Sequence, residues 1–174
     1  MSERTLTRNS IAPAVLLWAA LTFDASAVTV VIAPPPSEVR LRVGAAAATT
    51  LVTFTITAAN AGNGVAIVGA PNPVLVQAEA RETGCLPKSA TLTANTLVAN
   101  LVSGANNIPF STISWTTSDG DISAGTYPAP GSLVIATFPN CRRVSNNHTF
   151  RFSNTQVFPQ GTYNGTATYT LTMP

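Results

Sequence analysis

Apolar and polar residues alternate with a period of two along much of this chain, most strictly near its end. Over residues 166–173, Thr166, Thr168, Thr170 and Thr172 fall on one side and Ala167, Tyr169, Leu171 and Met173 on the other. Such alternation in a Thr- and aromatic-rich run predicts a half-buried β-strand. Residues 37–43 repeat it, with Val39, Leu41 and Val43 inward and Arg40 and Arg42 outward. So do residues 51–58, where Val52, Phe54 and Ile56 oppose Thr53, Thr55 and Thr57. Further strands are expected over residues 74–80, 90–93, 97–102, 113–117, 133–138 and 149–152.

Turn-forming clusters separate these runs: Asn60-Ala-Gly-Asn-Gly64, Ser103-Gly-Ala-Asn-Asn107, Ser118-Asp-Gly-Asp121 and Pro128-Ala-Pro-Gly131. Glycine and asparagine tolerate the positive φ that tight turns require. After the leader no stretch carries the 3.6-residue period of an amphipathic helix. The pattern predicts an all-β chain, an immunoglobulin-like antiparallel β-sandwich, formed by one domain over residues 37–174.

The first residues have a different character. Arg4 and Arg8 precede the apolar run 11–23, and Ala25-Ser26-Ala27 fits a small-x-small cleavage site, so residues 1–27 are expected to be an export signal. That run is shorter than the roughly 20 residues of a spanning helix. Residues 28–33 (VTVVIA) form a short β-prone segment, followed by Pro34-Pro35-Pro36. Three prolines donate no hydrogen bonds and favour an extended spacer, which sets residues 28–36 apart as an N-terminal extension.

Composition narrows the function. Only 9% of residues are charged and the formal net charge is +2. Arg142-Arg143 is too short for a nucleic-acid stripe, so no nucleic-acid partner is expected. Low charge also leaves little repulsion against self-association. Cys85 and Cys141 are the only cysteines, and in an oxidising compartment two most simply form one disulfide. His148 is the only histidine, read as a partly exposed loop residue at a turn-to-strand junction. With one imidazole, a hydrolytic triad or a metal site lacks partners, so neither an enzyme nor a cofactor is expected. Glu79 and Glu82 flank Arg81 and read as a solvated strand end; Asp119-Gly-Asp121 reads as a turn rather than a Ca²⁺ loop. Trp115 and Tyr169 lie on the apolar faces of their strands and are expected in the core.

The leader, the isolated N-terminal segment, the Thr-rich sandwich with two cysteines and the ending Gly161-Thr-Tyr-Asn-Gly-Thr-Ala-Thr-Tyr-Thr-Leu-Thr resemble subunits of chaperone–usher fimbriae. The likeness is to the archaic, spore-coat-U-like type, from whose better-known relatives the chain departs in ending Met173-Pro174. The resemblance implies a sandwich that lacks its final strand. A periplasmic chaperone would fill the gap first, and at the outer-membrane usher the N-terminal extension of a neighbouring subunit would replace it. Carried onto these residues, it makes Val28, Val30 and Ile32 the inward-pointing donor positions. Ala167, Tyr169, Leu171 and Met173 become the wall of the acceptor groove. The location implied is the periplasm, then the cell surface. The second expectation is a self-complete secreted binding module for glycans or a surface, in which residues 28–33 pair within their own domain.

Overall fold

The computed structural model describes residues 37–44, 51–82, 84–128 and 130–174. The expected signal (1–27) and the N-terminal extension with Val28, Val30 and Ile32 lie outside the described residues. Two antiparallel sheets face each other. The first runs in the order β1 (Ser37–Val43), β4 (Val74–Glu82), β11 (Arg142–Phe152), β8 (Ile113–Thr117) and β9 (Gly125–Thr126), with β3 (Ile67–Val68) also on β11. The second holds β10 (Gly131–Pro139), β5 (Ser89–Thr96) and β13 (Ala167–Thr172). Two short ribbons complete the fold: β2 (Phe54–Ile56) with β12 (Gly161–Tyr163), and β6 (Asn100–Ser103) with β7 (Asn106–Pro109). Among the described residues the single helical turn is a 3₁₀ turn, Phe110–Thr112. An all-β sandwich is therefore what the alternation builds.

Period-two patterning decides which face of each strand is dry. In β4, Val74, Val76, Ala78, Ala80 and Glu82 are buried while the residues between them face outward. In β5, Ala90, Leu92, Ala94 and Thr96 point inward. Small alanines on both facing strands let the sheets approach. The larger aromatics fill the middle, where Trp115, Tyr127, Phe150, Phe152, Tyr163 and Tyr169 are all buried. Trp115 and Tyr127 rings meet at 4.7 Å, and Tyr127 stacks on Phe150 at 6.2 Å with an 11° tilt. The Trp115 indole N–H donates to the Ser123 carbonyl at 2.9 Å, so the core's largest side chain keeps its polar atom paired.

Several strands differ from the sequence expectation. The run 51–58 shortens to β2, because Thr53 leaves the ribbon to bridge Ala70. Residues 97–99 form a bend, and β6 begins at Asn100. β11 extends seven residues further toward the N-terminus than the expected 149–152, since its inward positions include the polar Asn146 and His148. Asn146 is satisfied by the neighbouring turn. Its Nδ2 donates to the Asp119 carbonyl (2.9 Å) and Oδ1 (2.7 Å), and its Oδ1 accepts from the Ser118 backbone N–H at 2.7 Å.

A second buried asparagine closes the loop after β2. Asn154, at φ 53°, donates through Nδ2 to the carbonyls of Asn60 and Val65, and its Oδ1 accepts from the Gly62 N–H at 2.9 Å. Asn154→Ala leaves those partly buried groups without this partner, and the expected loss is about 1–2 kcal/mol by chemical denaturation. Asn154→Gly, which relieves the backbone but not the hydrogen bonds, is expected to recover only the smaller backbone part.

Candidate functional site

The edges of the two sheets meet along one side of the sandwich. β1 is the first strand of its sheet and β13 the last of the other, and the two lie beside each other. Among the described residues β13 pairs with β5 alone, in the register Ala167↔Thr96 to Thr172↔Thr91. Half of its backbone N–H and C=O groups point away from β5, as in any antiparallel strand. Those groups face the side where β1 stands, and β1 is itself paired only to β4 among the described residues. Among the described residues, β1 and β13 are thus the outermost paired strands on either side of one seam.

Local chemistry ends the pairing at that point. The last strand is broken at Gly165-Thr166: upstream, β12 pairs with β2 and Asn164 bridges Val102; downstream, β13 pairs with β5 instead. Gly165 passes so close over Phe110 that a Cβ there would sit 2.7 Å from Phe110 Cζ. Only glycine lets the backbone cross at that height. Beneath it opens an apolar cavity of about 70 Å³, with Val43, Phe54, Phe110, Phe150, Ala167 and Tyr169 in its lining. Its walls therefore come from β1, from the ribbon and from both sheets.

The residues expected to form the acceptor wall divide into two groups. Ala167, half-buried, and Tyr169, buried, line this cavity. Leu171 and Met173 are buried at 1% and 4% exposure but are not in its lining, so they belong to the closed core further along. The alternation signalled their inward face; which of them met a cavity depended on the break at Gly165 and on Phe110, Phe54 and Phe150, remote in sequence. Tyr169 is held by its hydroxyl, 3.0 Å from that of Tyr127. Burial pushes the Tyr169 phenol up to about 12 and, with Tyr169 beside it, raises Tyr127 well above its ordinary value. Both rings stay neutral over any physiological range.

His148 corrects the sequence reading. It is no loop residue but an inward position of β11 with no exposure, paired across the sheet with Val74 and Thr117. Its ring stacks on Trp115 at 6.1 Å and touches Phe150 and Tyr169. Neither ring nitrogen has a hydrogen-bond partner. Desolvation alone lowers its pKa to about 4. Glu82 is likewise not solvated: it is 7% exposed and Oε1 meets Lys88 Nζ at 2.9 Å, while Glu79 pairs with Arg81 on the outer face.

Cys85 and Cys141 form the expected disulfide, which fits an oxidising, extracytoplasmic compartment. Asp119-Gly-Asp121 is a turn, closed by the Asp121 N–H donating to Asp119 Oδ1 at 3.0 Å. Among the described residues no cluster of His, Cys, Asp and Glu could hold a metal ion. The chain matches no protein-family model, no curated protein and no solved structure.

Proposed function

We propose that this chain is an exported structural subunit of a bacterial surface fibre that grows by strand donation between copies. The observation that carries the reading is the seam between β1 and β13: the edge of β13, paired only with β5 among the described residues, runs beside an apolar cavity. An edge with free backbone groups beside a hydrophobic trough is a template for an added strand. Backbone hydrogen bonds give such a strand affinity, and alternate side chains seated in the trough give it register. Residues 28–33 have the matching chemistry, with Val28, Val30 and Ile32 on one face and no charge. Six extended residues span about 20 Å, comparable with the length of β13. Pro34–Pro36 would hold that segment clear of its own domain and present it to a neighbour. A free edge and trough need cover before assembly, which is the part a periplasmic chaperone would play, with an outer-membrane usher as the site of exchange. Residues 1–27 would direct the export, and adhesion would be a property of the assembled fibre.

Deleting residues 28–33 is expected to abolish multimers that survive SDS without boiling, while full-length protein coexpressed with a cognate chaperone and usher forms them. A synthetic VTVVIA peptide is expected to bind the deleted chain, and an Ala167→Arg substitution in the trough to prevent it. Full-length protein that stays monomeric under those conditions would sink the fibre reading and leave the self-complete binding module.

A further inference from the structure

We infer that the outer face of the first sheet carries a binding site for a carboxylated polysaccharide, centred on Arg42 and Arg143. The site is a polar hollow of about 250 Å³ whose lining includes Arg40, Arg42, Gln77, Glu79 and Arg143. It shares no lining residue with the apolar cavity, and the inference does not rest on the fibre reading.

Register explains the hollow. Arg40, Glu79 and Arg143 stand opposite one another on β1, β4 and β11, and Arg42, Gln77 and Ser145 form the next rank. Neighbouring strands lie about 4.8 Å apart, and same-face residues on one strand about 7 Å apart. The three arginines thus bracket an area roughly 10 Å across. In a chain with so few charges this is a marked concentration: Arg40, Arg42, Arg81, Arg143 and Arg151 all point outward from these three strands, against Glu38 and Glu79.

The ion pairs leave the hollow's cations available. Glu38 takes Arg40, at 2.6 Å, and Glu79 takes Arg81 through Oε1, at 3.1 Å. Arg143 has no hydrogen bond or ion pair among the described residues, and Arg42 donates only through Nε to the Gly44 carbonyl. The Arg143 guanidinium and the two Nη groups of Arg42 therefore have no partner among the described residues, and a guanidinium fork matches a carboxylate with two parallel hydrogen bonds.

The neighbours select among anions. Glu79 and Glu38 repel a continuous run of phosphates or sulfates, and no aromatic side chain stands on this face of β1, β4 and β11 to stack a base. Glu79 Oε2 can accept from a hydroxyl, and the Gln77 amide both donates and accepts. Forks for a carboxylate beside a carboxylate and an amide for hydroxyls are the complement of an acidic sugar. A solvent-open hollow on a strand face suits a residue of a passing polymer rather than an enclosed small molecule.

Binding of the full chain to polygalacturonate, with dextran as the neutral and heparin as the sulfated polymer, tests this by affinity electrophoresis or calorimetry. Wild type is expected to bind polygalacturonate and not dextran, and heparin more weakly. Arg42→Ala with Arg143→Ala is expected to weaken polygalacturonate binding about tenfold or more, at an unchanged melting temperature. The double lysine variant should also bind more weakly, because an ammonium cannot fork. Arg151→Ala, on the same face outside the hollow, should stay within about twofold. The assignment is overturned by wild type that does not bind polygalacturonate. It is overturned equally by heparin bound as tightly, or by Arg151→Ala as damaging as the double variant, either of which would reduce the face to general charge.

Discussion

Replacing Cys85 and Cys141 together with alanine is expected to cost about 4 kcal/mol, the loop-closure entropy that a bridge of this span removes from the unfolded chain. The bond joins positions 56 apart in sequence and ties two crossings between the sheets, the β4–β5 loop and the β10–β11 turn. Other interactions at that end are modest. The Asn140 N–H donates to the Lys88 carbonyl at 2.9 Å, and Asn140 Nδ2 reaches the Leu86 carbonyl at 3.3 Å. The Lys88–Glu82 pair joins one of those crossings to its own strand. Both half-cystines sit at positive φ, 46° and 60°, so removing the bond leaves two non-glycine residues in a region they disfavour. For a domain of this size the melting temperature should fall by roughly 10 °C. Denaturant titration of wild type with and without reductant, beside the alanine pair, checks it. Both cysteines are exposed to reductant, and equal midpoints in all three samples would show that the staple contributes nothing.

Acid is expected to destabilise the domain through His148. The ordinary value of 6.5 applies in the unfolded chain, and the folded value is lowered to about 4. Between these the unfolded state binds a proton that the folded state does not, so stability falls as pH falls. The contribution is fully present above about pH 6.5 and is lost progressively down to pH 4; over that window it amounts to about 3 kcal/mol. The surroundings offer no relief: Trp115, Phe150 and Tyr169 supply rings, and Tyr169 with its partner Tyr127 remains neutral. His148→Leu is the decisive variant. It removes two unpaired buried nitrogens, so at pH 7 it is expected to be within about 1 kcal/mol of wild type or more stable. Its denaturation midpoint should change far less than that of wild type between pH 6.5 and pH 4. Parallel pH curves for the two proteins would show that His148 is not the acid-sensitive group. Because Tyr169 also lines the cavity, the same proton would strain the core beside it.

How much of this was legible depended on whether a residue's partner lay on its own strand. Residues 113–117 and 167–172 were readable from alternation, and Trp115 and Tyr169 took the buried side as expected. β11 was only half visible. Asn146 and His148 occupy inward positions, and polar residues at inward positions erase the alternating signal. What makes Asn146 acceptable there is the turn 118–122, some 27 residues away, which pairs its amide; nothing local announces that. Glu82 misled in the same way, since Lys88 neutralises it from the next strand's approach. Of the candidate groove, the inward face of the last strand was legible, but the cavity was not. It requires Phe54, Phe110 and Phe150 to converge under Gly165.

The amino-acid order by itself determined an all-β chain, the face each alternating strand buries, and the pairing of its only two cysteines. These follow from local period and from composition, which survive any arrangement of the strands. Tertiary structure alone decided which strands stand at edges, that β1 and β13 flank a common seam, and that a neutral histidine sits among aromatic rings. It also set three arginines around one hollow. Each of these depends on sheet order and register, and neither is encoded in the period of a single strand: neighbours remote in the chain choose them by burying the most apolar surface with their polar groups paired.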